Sequence, residues 1–276
     1  MNAALALVLA MKFLTTPAEL IAAPAHSVTI LDARGAKDYE RGHIPGALRI
    51  DWKDYRNGWL RTGKLPKDLD RLAGKMAKLG VDESRPVVVY GKAQGGWGEE
   101  GRIVWMLAYL GHHDVSLLDG EWNAWVAAGG AVSTQNESAL EAKFTAHPVA
   151  AMRAGIDDVE AARNGAATLL DVRSEKEWKG ATPYFEARGG HVPGAVHLVW
   201  TDLLDDKGRV DAGGAKAKLA AAGVRASTPV ITYCTGGVRS AEAWTILRAL
   251  GFENVRNYDG SWYEWSADKK RPVTKE

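Results

Sequence analysis

"SVTILDARGAKDYERGHIPGALRIDW" (residues 27–52) and "AATLLDVRSEKEWKGATPYFEARGGHVPGAVHLVW" (residues 166–200) follow one plan. Each gives an apolar run, then Leu-Asp-x-Arg, then an acidic or aromatic stretch. Gly-His-(Ile/Val)-Pro-Gly-Ala and a second apolar run close the block. Further on, "RPVVVYG" (85–91) pairs with "TPVITYC" (228–234), and "LLDGEWNAWVAAGGAV" (117–132) pairs with "NYDGSWYEWSADKKRPV" (257–273). Matched blocks in the same order mark an internal duplication.

Each copy reads as α/β. Val28–Leu31 and Thr168–Leu170 are short, apolar and β-branched, as buried parallel strands are, and Val87–Tyr90 and Val230–Tyr233 read the same way. Gly101–Leu110 and Ser240–Leu250 have helical periodicity, and Gly111 and Gly251 follow them as stops. Strands alternating with helices predict a parallel sheet with helices on both faces, once in each of two tandem domains. We expect domains over residues 1–135 and 150–276, with a linker at about 136–149 inside the polar stretch 131–153.

Length and composition agree with two cores: 276 residues, 46% of them hydrophobic. A net charge of +1 gives no footprint for nucleic acid or a membrane surface. The single cysteine, Cys234, excludes an internal disulfide and any zinc or iron–sulfur site built on several cysteines. At the N-terminus, the apolar run Ala3–Met11 is too short to span a bilayer and has no basic residue before it. Thr16-Pro17 reads as a helix cap with proline at the first position. These features favour an uncleaved start and a cytoplasmic protein, with a signal remnant and a periplasmic location as the alternative.

The chemistry concentrates in "YCTGGVRSAEAW" (233–244). Cys234 follows a predicted strand and precedes a predicted helix, the position where open α/β sheets bind ligands. Gly236 and Gly237 let the chain curl so that successive N–H groups point inward, and the helix N-terminus favours an anion. Arg239 adds a positive charge. Such a loop stabilises a thiolate and makes the cysteine a nucleophile. In the first copy Gly91 occupies this position, and the span from Tyr90 to Asp119 is three residues longer than that from Tyr233 to Asp259. Glu99 and Glu100 open the helix there and repel anions. The first domain is therefore expected to be catalytically inactive, with Trp97 and Lys92 as candidates to border the cleft.

"CTGGVR", together with the Asp-x-Arg, Gly-His-x-Pro-Gly-Ala and Asp-Gly-x-Trp-x-x-Trp blocks, resembles the rhodanese sulfurtransferases. The resemblance covers nearly the whole chain, twice, and points to a tandem-domain thiosulfate sulfurtransferase without cofactor or metal. It implies that Cys234 takes the outer sulfur of thiosulfate as a persulfide. The amides of Thr235, Gly236, Gly237, Val238 and Arg239 would cradle it. A thiophilic acceptor, such as cyanide, a thiol or a thioredoxin-like protein, would then remove the sulfur. Asp171, Arg173 and Ser240 are assigned supporting roles, Asp171 as an orienter of the loop and Arg173 as its structural ion-pair partner; the alternative is that both only brace the sheet end, which the recurrence of Asp32 and Arg34 in the first copy favours. Some family members carry Arg six positions after this aspartate and Lys two after the cysteine. Here Glu177 and Gly236 stand there, and both remove positive charge. Thr235 and Arg239 depart from the Cys-Gly-(Ser/Ala)-Gly-Val-Thr loop of mercaptopyruvate-preferring members.

Two other readings stay open. A cysteine phosphatase or arsenate reductase would resemble Cys-x5-Arg, whereas Cys234 and Arg239 make Cys-x4-Arg, one residue short. A persulfide carrier fed by a protein donor would tolerate the missing positive charges. His43 and His191 recur in both copies, one of which lacks the cysteine, so turn packing explains them better than a Cys–His dyad. The paired tryptophans likewise read as core.

Overall fold

The computed structural model describes residues 11–275, apart from 59–61, 93–94 and 141. The apolar run Ala3–Met11 lies outside the described residues except for Met11. The chain divides into two compact units. One holds the described residues up to Tyr55, Pro66–Val149 and Asp206–Arg209; the other holds Arg56–Leu65, Ala150–Asp205 and the chain from Val210 onward. This partition differs from the expected one in two ways. The first unit runs through the expected linker to Val149, and each half of the sequence lends a short segment to the other unit.

The first unit contains β1 (Leu14–Thr15), α1 (Pro17–Ala22), β2 (Thr29–Asp32), α2 (Ala36–Arg41), β3 (Leu48–Arg49), α3 (Leu69–Ala77), β4 (Val87–Tyr90), α4 (Glu99–Tyr109), β5 (Val115–Leu118) and α5 (Glu121–Ala127). Its sheet is parallel throughout, in the order β1-β5-β4-β2-β3. The second contains α6 (Ile156–Ala161), β6 (Thr168–Asp171), α7 (Glu175–Trp178), β7 (Val196–His197), α8 (Ala212–Ala221), β8 (Val230–Tyr233), α9 (Arg239–Ala249), β9 (Val255–Asn257) and α10 (Ser261–Ala267). Its sheet, also parallel, runs β7-β6-β8-β9. A single parallel bridge from Arg153 to Asn257 extends that edge, where the first sheet has β1.

The duplication is repeated in register. Asp32 pairs with Tyr90 across β2 and β4, and Asp171 pairs with Tyr233 across β6 and β8. The central strands β4 and β8 are buried at all four positions, which is why their sequences are continuous apolar runs rather than alternations. Helices α4 and α9 begin two residues and one residue before the expected starts. Their first turns are polar (Glu99-Glu100 and Arg239-Ser240) and carry no apolar period. Gly111 and Gly251 stop them in left-handed backbone, at φ +100° and +92°.

At the start of the described chain, Thr16 caps α1 as expected. Glu19 N–H donates to Thr16 Oγ1 at 3.2 Å and Thr16 N–H donates to Glu19 Oε2 at 2.8 Å. The recurring tryptophans pack as anticipated: Trp122 and Trp262 lie on the guanidinium groups of Arg34 and Arg173, at 4.1 and 4.8 Å. Among the described residues no helix is long and apolar enough to cross a membrane.

Candidate active site

Cys234 sits directly after β8, and three backbone anchors fix it. Its N–H donates to Ser261 Oγ at 3.1 Å, its carbonyl accepts from Trp262 N–H at 3.0 Å, and the Thr235 carbonyl accepts from Tyr263 N–H at 2.9 Å. All three anchors come from the first turn of α10, in the Asp-Gly-Ser-Trp-Tyr block. Ser261 holds a left-handed φ of +51°, a costly conformation for a residue with a Cβ, and its hydroxyl donates to the Tyr258 carbonyl at 2.7 Å.

The chain after Cys234 then curls back over the sulfur. Gly237 N–H donates to Cys234 Sγ at 3.1 Å. Gly237 has φ +86°, and a Cβ there would lie 2.4 Å from the Asp259 carbonyl oxygen. Only glycine satisfies both constraints. The Cys234 side chain is buried (1% exposed), and burial pushes the thiol up. The Arg239 charge, the Ser240 N–H and hydroxyl, and the Gly236 N–H outweigh burial, and the pKa lies below its ordinary value. The Ser240 hydroxyl also meets Asn257 Oδ1 at 2.7 Å. Val238 caps α9, its carbonyl accepting from Ala241 and Glu242 at 3.0 and 3.1 Å.

Arg239 is held by Glu177. Its NH1 donates to Glu177 Oε2 and its NH2 to Glu177 Oε1, each at 2.8 Å, and NH2 also donates to Thr235 Oγ1 at 2.8 Å. Thr235 in turn donates its hydroxyl to Glu177 Oε1. Glu177 is the third residue of a capping box with Ser174, whose hydroxyl donates to it at 2.7 Å. Burial would raise the Glu177 carboxyl, but Arg239, Thr235 and Ser174 pull it down to about 2. Burial also opposes the Arg239 charge, yet the Glu177 carboxylate raises the guanidinium pKa above its ordinary value. Tyr184 lies over the Arg239 guanidinium at 5.8 Å.

A strap from the first half of the sequence belongs to this unit. Gly63 N–H donates to the Gly236 carbonyl, and Leu65 N–H donates to Asp259 Oδ2 at 2.8 Å. Arg153 clasps the same carboxylate, at 3.1 and 2.9 Å. Lys64 pairs with Glu264.

Asp171, expected to orient the catalytic loop, directs both oxygens to Arg173. Oδ1 accepts from Arg173 N–H and Nε at 3.0 and 2.9 Å, and Oδ2 from NH2 at 2.6 Å. Arg173 NH2 reaches on to the Gly190 carbonyl at 2.8 Å, bracing the Gly-His-Val-Pro-Gly turn. Asp32, Arg34 and Gly42 repeat this arrangement in the first unit. Toward the reacting loop, Asp171 faces the Tyr233 phenol. His43 and His191 stack on Tyr39 and Trp178 with ring centroids 3.9 and 3.4 Å apart, and each Nδ1 lies against that aromatic residue's own carbonyl. Both histidines are turn-packing groups.

At Gly91, the counterpart of Cys234, the space is filled. A Cβ there would lie 2.1 Å from Glu100 Oε2, and Glu100 is buried. The Gly91 N–H donates to the Glu121 carboxylate. Lys92 lies 3.7 Å from Asp38, and the Trp97 N–H donates to Glu99. With no thiol at this position, the first loop cannot carry a persulfide.

The sequence reading missed four contributors. Glu177 entered only as a lost positive charge, although Ser174-x-x-Glu177 is a legible capping box. Ser261 and Asp259 drew no reading of their own, because only the tryptophans of their block stood out. Nothing local marked the strap at 62–65.

The rhodanese-like domain model matches residues 16–128 and 152–268. The chain belongs to the rhodanese family, as a tandem-domain sulfurtransferase. It is 34% identical to a thiosulfate sulfurtransferase of Corynebacterium glutamicum, over 85% of this chain and 80% of that protein. It is 31% identical to the sulfur carrier protein TtuD of Thermus thermophilus, over 86% and 87%. Its fold matches the crystal structure of the 3-mercaptopyruvate sulfotransferase SseA of Escherichia coli with a TM-score of 0.79 and 27% identity, covering 91% of this chain and 99% of that one.

Proposed function

We propose that the protein transfers sulfane sulfur from thiosulfate to a thiophilic acceptor through a persulfide on Cys234. The Cys234 thiolate attacks the outer sulfur of thiosulfate. A new S–S bond forms, the bond to the sulfonate sulfur breaks, and sulfite leaves with its electron pair. Cyanide or a thiolate then attacks the terminal sulfur of the persulfide and returns Cys234 as a thiolate, completing a double displacement. The observation that carries this reading is the Gly237 N–H aimed at Sγ beside a buried guanidinium, an arrangement that favours a negative sulfur. The departure from the mercaptopyruvate-type loop at Thr235 and Arg239 and the Corynebacterium relative support thiosulfate as donor.

A second reading, a persulfide relay fed by a protein donor and emptied by a thioredoxin-like acceptor, is favoured by one observation. Glu177 engages the guanidinium that would otherwise meet a small anion. The Thermus carrier protein lends it support. Phosphate chemistry fits less well, because Cys-x4-Arg is one residue short and both terminal nitrogens of Arg239 already bond Glu177.

Incubation with thiosulfate followed by intact mass tests the first reading. One added sulfur atom is expected on the wild type, lost on treatment with cyanide and absent from Cys234→Ser. No gain on the wild type would defeat thiosulfate as the donor.

A further inference from the structure

The charge beside the thiol is balanced by a buried carboxylate. Cys234, Arg239 and Glu177 form one buried group, with Glu177 0% and Arg239 6% exposed. Both terminal nitrogens of the guanidinium face the carboxylate, and Thr235 bonds to both partners. With Cys234 as a thiolate, the three side chains sum to a single negative charge. A guanidinium without its carboxylate would leave the group neutral. The difference matters because screening is weak for buried charges, so a donor meets this net charge at close to full strength.

We infer that Glu177 is a specificity-determining residue for the donor's charge: by offsetting Arg239 it lowers the advantage of doubly charged thiosulfate and widens donor use to sulfane donors carrying one charge. The inference rests on the sulfur-transfer reading of Cys234 and concerns only what loads it. Thiosulfate (charge −2) and an alkyl thiosulfonate (charge −1) share the reacting sulfur. Attack by the Cys234 thiolate on either forms the same enzyme persulfide. The bond to the oxidised sulfur breaks, and sulfite or sulfinate departs with the electron pair. The two donors differ in the charge they bring, so their ratio reports the electrostatics of the cradle. Changes in Cys234 acidity cancel, because both donors are attacked by the same thiolate.

The test measures second-order rates of sulfur loading by intact mass with thiosulfate and with methanethiosulfonate. The readout is the thiosulfate/thiosulfonate rate ratio, compared among wild type, Glu177→Gln, Arg239→Gln and the double variant. Removing the Glu177 charge should raise the ratio about tenfold, and removing the Arg239 charge should lower it by about the same factor. The double variant restores the wild-type net charge, and its ratio should return to within about threefold of wild type. A purely structural role would slow both donors alike and leave the ratio unmoved. Should Glu177→Gln fail to fold, Arg239→Gln must still lower the ratio. An unchanged ratio, or a shift of the same sign in both single variants, overturns the inference. Failure of the wild type to gain sulfur from either donor is a different result, which overturns the sulfur-transfer reading itself.

Discussion

Replacing Gly237 by alanine isolates the element that aims an N–H at the reactive sulfur. The residue sits at φ +86°, where a side chain costs about 1–2 kcal/mol. The new Cβ would also lie 2.4 Å from the Asp259 carbonyl oxygen and 2.8 Å from its Cα. These are backbone atoms, and the Asp259 carboxylate is held by Arg153 and the Leu65 N–H. The clash therefore cannot be relieved by rotating a side chain, and overpacking of this kind costs about 1–3 kcal/mol. Together the penalty is about 2–5 kcal/mol, which lowers Tm by roughly 5–15 °C in a protein of this size. Relief requires the 236–237 peptide to move, taking the N–H off Sγ. A hydrogen bond to a charged group is worth about 1.5–3 kcal/mol, so the Cys234 pKa should rise. The assay is the pH dependence of Cys234 alkylation by iodoacetamide, alongside thermal denaturation. Gly251→Ala is the control: it also has positive φ, +92°, but a Cβ there meets nothing within 4 Å. It should lose about 1–2 kcal/mol of stability and leave the alkylation profile intact. A Gly237→Ala protein whose Tm and alkylation profile overlay those of the wild type would refute the reasoning.

Acid titration should expose the Glu177 anchor. Its folded pKa is about 2 against an ordinary 4.5, so its contribution is fully present above 4.5 and is lost as the pH falls from there through about 2. That shift corresponds to about 3 kcal/mol. The stability difference between wild type and Glu177→Gln, from urea midpoints, should therefore shrink across this window; a constant difference would show that the ion pair is not the anchor. In the first unit, Gly91→Cys should not create a second centre. Its Cβ would collide with Glu100, at a cost of about 1–3 kcal/mol. Any added sulfur on a protein carrying both Gly91→Cys and Cys234→Ser, read by intact mass, would contradict the inert loop.

Strand positions were legible where local signals were dense. Val87–Tyr90 and Val230–Tyr233 begin directly after a proline and consist of four consecutive buried residues, and they fold as read. The second apolar run of each block was harder: only Leu48–Arg49 and Val196–His197 pair, because these strands lie at sheet edges. The cysteine loop could be read because its glycines, thiol and arginine lie within a few residues. The partner of Arg239 could not, since Glu177 is 62 residues away in sequence and acidic where a basic group helps other family members. The grip of Leu65 on Asp259 spans 194 residues, and no periodicity encodes it. The loop-orienting role expected for Asp171 came from the resemblance, while its place at the strand end already offered the brace. That place is the same in the half without a thiol, and both aspartates serve the same brace.

The segment at 56–65 gives the silent half of the duplication a reason to persist. A fragment starting at residue 150 would encode the sheet, the thiol, the arginine and the glutamate. It would leave the Gly236 carbonyl and the Asp259 carboxylate without the backbone donors that Gly63 and Leu65 supply. In this chain those donors come from the other half of the sequence. A deletion that removed the barren copy would also loosen the fertile one. Absence of the thiol from one repeat therefore does not make that repeat dispensable to the other.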